Sequence, residues 1–154
     1  MAQKGSPLEG DVKNWQDISD VKVSKIAASL EIPNGRFVYQ DGSNGLKLAT
    51  SSIQASRVRF CPIGFDNNPT VTPQRELETI KTGAIVVTEC VGAIVVDDDV
   101  VISGTAGQIA AAAATAQTVD TQIGRYLGHV GEVEGTANEP TDAVDADLCL
   151  VQLT

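Results

Sequence analysis

The feature that most constrains the fold is a series of short apolar runs, rich in β-branched residues and separated by glycine turns. Residues 83–87 have the sequence Gly-Ala-Ile-Val-Val, and residues 92–96 repeat it nine positions later. This spacing fits one strand plus one turn, the rhythm of a small barrel or sandwich. It predicts an all-β fold, with a strand at each of the two repeats.

Other segments of the chain share this β character. Residues 36–50 alternate on both sides of residues 41–45, whose Asp-Gly and Asn-Gly pairs favour the positive φ angles of tight turns, so a β-hairpin is predicted. Residues 108–116 are rich in alanine, the residue with the highest helix propensity. That run is short and follows a glycine turn, however, so we predict a strand with a loose end. Further strands are predicted at residues 57–61, 76–80, 100–103, 125–133 and 147–153.

The 154 residues fit one domain with an appended arm. Residues 1–35 have no sustained helical or alternating pattern of apolar residues, and the pattern of polar and apolar residues changes near residue 55. We therefore expect an extended N-terminal arm with a β-hairpin over residues 1–55, and a small β-barrel or sandwich body over residues 56–154. Residues 24–30 could form a short helix or a short strand.

The arm and its hairpin are too apolar for an inert linker. Aromatic and apolar anchors contribute much of the binding energy at many interfaces. The segment around Trp15 either packs over its own domain or anchors on another chain, and the sequence leaves both possibilities open. The candidate partner-binding residues are Trp15, Ile18, Val21, Val23, Phe37 and Tyr39.

The formal net charge of −9 is unevenly distributed. Residues 1–81 contain ten basic and nine acidic residues, a net charge of +1, whereas residues 82–154 contain one arginine and eleven acidic residues, a net charge of −10. An acidic chain with no basic, aromatic-rich patch is repelled by phosphate backbones, so we predict no nucleic-acid partner. The acidic half is either a solvated surface or a site for a cation or a basic partner.

Membrane insertion and a disulfide scaffold are also disfavoured. No apolar run has the roughly 18 to 20 residues that a membrane helix needs, so we expect a soluble protein made in the cytoplasm. The chain has three cysteines, Cys61, Cys90 and Cys149, with no C-x-x-C pair. Each has apolar neighbours, so we predict buried, reduced thiols.

No arrangement of residues indicates catalysis, a metal site or a cofactor. Asp97, Asp98 and Asp99 lack the spacing of a calcium loop and predict a charged turn. His129 is the single histidine and has no nucleophile or ligand partner at a recognisable spacing. Residues 103–107 lack the lysine of a phosphate-binding loop. We therefore predict that the chain is not an enzyme and holds no cofactor.

Deoxyuridine triphosphatases are trimeric β proteins of about this size, and residues 94–99 are faintly similar to their acidic strand motif. The similarity ends at Val100 and Val101, where those enzymes have a stacking tyrosine and a glycine. The chain also lacks their glycine-rich C-terminal phosphate clamp. This resemblance therefore does not favour nucleotide hydrolysis.

The sequence resembles the capsid cement, or head decoration, proteins of tailed bacteriophages. The resemblance covers roughly residues 35–154. It consists of the spacing of glycines and valines and does not involve reactive groups. One departure is the loop at residues 135–142, which is longer than the Gly-Asp turn common before the last strand in such families. The segments that carry the resemblance are residues 35–39, 45–50, 83–87, 92–96, 123–128 and 146–153.

The resemblance implies a homotrimer without enzymatic activity on the outer surface of a phage capsid. There it would bridge neighbouring major capsid proteins at three-fold or quasi-three-fold positions and stabilise the mature head. Two other classes of function stay open at this point. One is a small β-barrel module that binds carbohydrate or a protein, and the other is an unrecognised hydrolase that depends on His129.

Overall fold

The computed structural model describes residues 9–25, 31–62, 70–71, 76–112, 121–129 and 142–154. The helical structure in these ranges consists of 3-10 turns at Trp15–Asp17, Gly42–Asn44 and Ala55–Arg57. The strands are β1 (Val21–Lys25), β2 (Ile32–Pro33), β3 (Phe37–Gln40), β4 (Leu46–Leu48), β5 (Val58–Phe60), β6 (Thr70–Val71), β7 (Glu76–Ile80), β8 (Ile85–Glu89), β9 (Asp99–Ile102), β10 (Ile109–Ala111), β11 (Gln122–His129) and β12 (Leu148–Leu153).

Two antiparallel five-stranded sheets make up most of the structure. The first sheet has the strand order β1-β7-β5-β3-β4, and the second has the order β10-β9-β11-β12-β8. Strands β2 and β6 form a separate two-stranded ribbon. The prediction of an all-β, sandwich- or barrel-like body is confirmed.

The two sheets pack against each other around a shared apolar core. From the first sheet, the rings of Phe37 and Phe60 meet edge to face, with centroids 5.1 Å apart. Tyr126 and Val151 from the second sheet are fully buried in the same cluster. Burying a large apolar side chain contributes about 1.5–3 kcal/mol, so this shared core is the main source of stability.

A smaller apolar cluster lies on the other face of the first sheet. Phe37 and Val38 are neighbours along β3 and therefore point to opposite faces. Phe37 enters the shared core, whereas Val38 packs with Ile32, Leu46 and Leu77. The first sheet is thus buried in part on both of its faces.

Most predicted strands are present. The hairpin of residues 36–50 is β3 and β4, with Tyr39 opposite Lys47. Four further strands overlap the ranges predicted for them, namely β5, β7, β9 and β12. Strand β10 lies in the alanine-rich run. Residues 113–116 of that run and 130–133 of the strand predicted at 125–133 lie outside the described residues. The predicted strand option for residues 24–30 holds for Ser24 and Lys25, the last two residues of β1, and residues 26–30 lie outside the described residues.

The prediction of a strand at residues 92–96 is wrong. Ile94 forms a single bridge with Ala143, and the chain then turns at once. Asp97 has a φ of 72°, and the Asp98 backbone amide donates to the Val95 carbonyl at 3.1 Å. The turn at residues 95–98, with its left-handed conformation at Asp97, ends the extended chain directly after Ile94. The nine-residue rhythm therefore does not continue as a second strand.

The N-terminal residues 10–13 extend the second sheet beyond β8. The Gly10 amide donates to the Val87 carbonyl at 2.9 Å, and the Lys13 amide donates to the Ile85 carbonyl at 2.8 Å. An exposed strand edge is a template for unwanted pairing with other chains. The chain therefore covers one edge of its second sheet with its own N-terminal segment.

Side chains fasten both ends of this segment. Asn14 Oδ1 accepts from the Ile85 amide and Asn14 Nδ2 donates to the Gly83 carbonyl, both at 2.8 Å. At the other end, Glu9 Oε1 lies 3.4 Å from Arg36 Nε. Burial raises the pKa of Glu9 more than the charge of Arg36 lowers it. The docking of Glu9 is therefore more favourable at low pH, when its carboxyl group is protonated.

The predicted division of the chain at residue 55 stays a prediction. The hairpin belongs to the first sheet, where Phe37 of β3 pairs with Phe60 of β5, so this sheet contains strands from both sides of residue 55. Residues 1–8 of the predicted arm lie outside the described residues.

We predict that Gly124→Ala destabilises the protein by about 1–3 kcal/mol, because overpacking carries a cost of that order. A Cβ atom at Gly124 in β11 would overlap the Gln152 carbonyl oxygen of the paired strand β12. The control is Gly104→Ala, since a Cβ there meets nothing within 4 Å. Urea unfolding measures both, and equal midpoints for the two variants would contradict the close approach of β11 and β12.

We predict that Asn14→Ala lowers the free energy of unfolding by about 1–3 kcal/mol, because it leaves the Ile85 amide and the Gly83 carbonyl without their partner. Gln54→Ala is the control, since Gln54 is exposed and its side chain makes no capping bond; we expect a change within about 0.5 kcal/mol. Thermal and urea unfolding measure the difference. An Asn14→Ala variant as stable as the wild type would show that the segment is not fastened in this way.

Candidate partner-binding surfaces

The six candidate partner-binding residues have very different exposures. Trp15, Val21 and Val23 are 44%, 40% and 60% exposed. Ile18 and Tyr39 are partly buried against the shared core, and Phe37 is only 1% exposed. We call Trp15, Val21 and Val23 the edge patch. Partner binding by these residues stays a prediction, and the buried Phe37 offers no surface for it.

Val21 and Val23 owe their exposure to the position of β1 at the margin of the first sheet, whereas Trp15 lies before β1 in a 3-10 turn. Val21 lies opposite Ile80 of β7, and Val23 lies opposite Glu78. Among the described strands, none pairs with the outer side of β1. Strand β1 therefore presents apolar side chains and a backbone edge together, which is the arrangement that suits the binding of another chain.

Arg59 holds the start of β1 against the sheet. Its Nη1 lies 2.9 Å from Asp20 Oδ1, and its Nη2 donates to the Asp20 carbonyl at 2.9 Å. Its Nε donates to Thr79 Oγ1 of β7 at 2.9 Å. Burial acts to raise the pKa of Asp20, but hydrogen bonding and the charge of Arg59 outweigh it and lower that pKa. Arg59 thus fixes the residue directly before Val21.

Tyr39 is occupied within the protein. The guanidinium carbon of Arg57 lies 5.3 Å from the centroid of its ring, a distance typical of a cation–π contact. The Arg57 Nη2 also donates to the Gln40 carbonyl at 3.0 Å. The exposed members of the predicted set are therefore the three residues of the edge patch.

Two further exposed valines, which the sequence analysis did not select, lie in a pair of matching turns. The turns are residues 95–98 and 144–147, and each has a non-glycine residue with positive φ at its third position: 72° at Asp97 and 67° at Ala146. Val95 and Val144 begin the turns and are 54% and 63% exposed. We call Val95 and Val144 the turn patch.

Each turn is closed by the same two hydrogen bonds. The amide of the final aspartate donates to the carbonyl of the first valine at 3.1 Å, in Asp98 to Val95 and in Asp147 to Val144. The valine amide donates in return to the carboxylate of that aspartate, at 3.3 Å in the first turn and 2.9 Å in the second. These bonds fix the backbone that presents the valine.

The two turns also dock on neighbouring strands in the same way. The Asp97 amide donates to the Tyr126 carbonyl, and the Tyr126 amide donates to the Asp98 carbonyl. In the second turn, Cys90 exchanges the equivalent bonds with Ala146 and Asp147. The turns are related by an approximate local two-fold symmetry.

This symmetry continues into the residues before each valine. Ile94 and Ala143 exchange both of their backbone hydrogen bonds, at 3.1 and 2.8 Å. The sequence signal for the pair is the pattern Val-x-x-Asp directly before β9 and β12. The pairing itself depends on contacts between segments about 50 residues apart in the chain, and no local pattern indicates those.

The three cysteines offer no better candidate. Cys61, Cys90 and Cys149 are free and buried, as predicted. Burial raises the pKa of Cys61 to about 12, and it also raises the pKa values of Cys90 and Cys149. These thiols are therefore protonated near neutral pH and poor nucleophiles. His129 ends β11, and its side chain lies outside the described part of the structure.

The charged turn predicted at Asp97–Asp99 is confirmed for its first two residues, while Asp99 begins β9. In the described ranges, no three His, Cys, Asp or Glu side chains are grouped so as to hold a metal ion. The same ranges contain no helix long and apolar enough to cross a membrane. No protein-family model matches the chain, and no curated protein matches it.

Proposed function

We propose that this chain is a structural protein of a tailed-phage head, without enzymatic activity. It binds the outer surface of the capsid as a homotrimer and cements adjacent major capsid proteins. The observation that carries the proposal is the edge patch, in which Val21 and Val23 are exposed on the marginal strand of a packed sheet and Trp15 is exposed in the 3-10 turn before that strand. The resemblance of residues 35–154 to head decoration proteins supplies the identity of the partner.

The edge patch has the chemistry of a protein-binding surface. Trp15 is 44% exposed, and tryptophan is among the residues that most often dominate the energy of an interface. Apolar area removed from water contributes about 25 cal/mol per Å². Because Arg59 and the pairing with β7 already order β1, little further conformational entropy is lost when this strand binds a partner.

The charge distribution supports an outward-facing body. Residues 82–154 have a net charge of −10 and residues 1–81 a net charge of +1. A strongly acidic surface is suited to contact with water, while the near-neutral N-terminal part is suited to contact with capsid subunits.

Trimeric binding would strengthen the attachment. Three linked copies bind by avidity, since each attached copy raises the effective concentration of the next. A trimer that binds only the mature lattice would also stabilise that lattice by mass action. Weak contacts at each edge patch are therefore sufficient to attach the trimer tightly to the capsid.

We predict that Trp15 becomes buried when the protein binds empty expanded heads of the phage whose genome encodes it. Trp15 is the single tryptophan of the chain, so its fluorescence should shift to the blue and become less accessible to acrylamide. Trp15→Ala should weaken co-sedimentation with heads at least about tenfold, the equivalent of 1.4 kcal/mol.

Gln16→Ala is the matched control, because Gln16 is an exposed neighbour in the same 3-10 turn. It should bind heads like the wild type. Wild-type protein that never co-sediments with the heads would overturn the proposed function. Normal co-sedimentation with unchanged tryptophan fluorescence would leave capsid binding intact and reject the edge patch as its site.

A further inference from the structure

The thiols of Cys90 and Cys149 lie next to each other in the shared core. Cys149 of β12 lies opposite Thr88 of β8, and Cys90 follows Thr88 two positions later in the chain. Side chains two positions apart on an extended chain point to the same face, so Cys90 and Cys149 are diagonal neighbours across this strand pair. Their thiol groups interact directly through a side-chain hydrogen bond.

Both thiols also contact the turn at residues 144–147. Cys90 Sγ lies 3.1 Å from the Val144 carbonyl oxygen, and Cys149 Sγ lies 3.6 Å from the Asp147 carbonyl oxygen. Each carbonyl also accepts from a backbone amide at 3.1 Å, Val144 from Asp147 and Asp147 from Cys90. Removal of the two thiol protons therefore leaves neither of these carbonyls without a donor.

Cys61 lies in a different part of the structure. It packs with Ile32 and Val38 on the other face of the first sheet, whereas Cys90 and Cys149 belong to the cluster between the two sheets. A disulfide requires the Cβ atoms of its two cysteines to be about 3.5–4.5 Å apart. Cys61 is therefore separate from the pair and serves as an internal control for it.

We infer that Cys90 and Cys149 form a reversible disulfide when the protein meets a small-molecule disulfide such as oxidised glutathione, while Cys61 stays a free thiol. The bond joins the end of β8 to β12 and closes a loop that contains β9, β10 and β11. A crosslink between distant residues lowers the entropy of the unfolded chain. The pair is thus a redox-sensitive modification site, and its oxidation stabilises the second sheet.

The disulfide forms in two exchange steps. The Cys90 thiolate attacks one sulfur atom of oxidised glutathione, forms a mixed disulfide and releases the first glutathione thiolate. The Cys149 thiolate then attacks Cys90 Sγ, which forms the protein disulfide and releases the second glutathione thiolate. The two cysteines lose two electrons and two protons, and the two glutathione molecules gain them. Cys90 reacts first because it contacts the exposed turn at Val144.

Burial makes both directions of this reaction slow. Cys90 and Cys149 are 1% and 0% exposed, and burial raises the pKa of both thiols. The first step therefore needs a local opening of residues 144–147, and reductants reach the finished bond just as slowly. The role of the bond alone rests on the proposed function: a head protein passes from a reducing host cytoplasm to an oxidising medium when the cell lyses.

The test incubates the purified chain with excess oxidised glutathione, in buffer and in urea below the unfolding transition, where local opening is more frequent. Free thiols are then blocked with N-ethylmaleimide, and the protein is digested with trypsin without reductant. Trypsin separates Cys90 from Cys149, because Arg125 is the one basic residue after Lys81. We expect peptides 82–125 and 126–154 joined by a disulfide, and Cys61 alkylated.

The matched control is Cys61→Ala, which should form the same crosslink, whereas Cys90→Ala and Cys149→Ala should not. Three alkylated cysteines in both solutions, or a crosslink that includes Cys61, would overturn the inference. Capsid binding is measured with the reduced protein, so either result would leave the proposed function intact.

Thermal unfolding tests the effect of the bond on stability. The oxidised protein should unfold at a temperature roughly 5–15 °C higher than the reduced protein, and dithiothreitol should abolish the difference. Cys149→Ala should show no such shift after the same treatment. A crosslinked protein that unfolds at the temperature of the reduced protein would contradict the stabilisation of the second sheet.

Discussion

The packing of the two five-stranded sheets against each other is the interaction on which the rest of the structure depends. Phe37 and Phe60 from one sheet meet the buried ring of Tyr126 from the other in one apolar cluster. Because this contact buries the large apolar faces, the exposed apolar side chains that could bind other molecules lie at strand edges and turns. The N-terminal segment covers the β8 edge, whereas the outer side of β1 has no partner among the described strands.

Both exposed patches are apolar groups held in place by polar contacts. Arg59 fixes Asp20 at the start of β1, and Asp98 and Asp147 close the turns that present Val95 and Val144. These hydrogen bonds to charged side chains hold short surface segments in one conformation. The proposed function depends on such preformed surfaces and on contacts with other chains.

The sequence was sufficient to predict elements whose signals are local. The hairpin at residues 36–50 and strand β12 depend on alternation and turn chemistry, and both are present. Residues 92–96 were predicted as a strand because they repeat residues 83–87. Their conformation depends instead on pairing with Ala143 and on the turn at Asp97. Phe37 shows the same limit for the candidate surface. An apolar residue in a hairpin either joins the core or stays exposed for binding, and this depends on which other segments pack on it. Phe37 is buried in the shared core.

The central claim is that the protein binds the outside of a phage capsid through the edge patch. Electron cryomicroscopy of empty expanded heads, with and without the added protein, tests it most directly. The account predicts additional trimeric density on the outer surface at three-fold or quasi-three-fold positions, with the segment containing Trp15 against the major capsid protein. Heads that show no additional density at saturating protein, or density that contacts the shell only through the acidic turns, would contradict it.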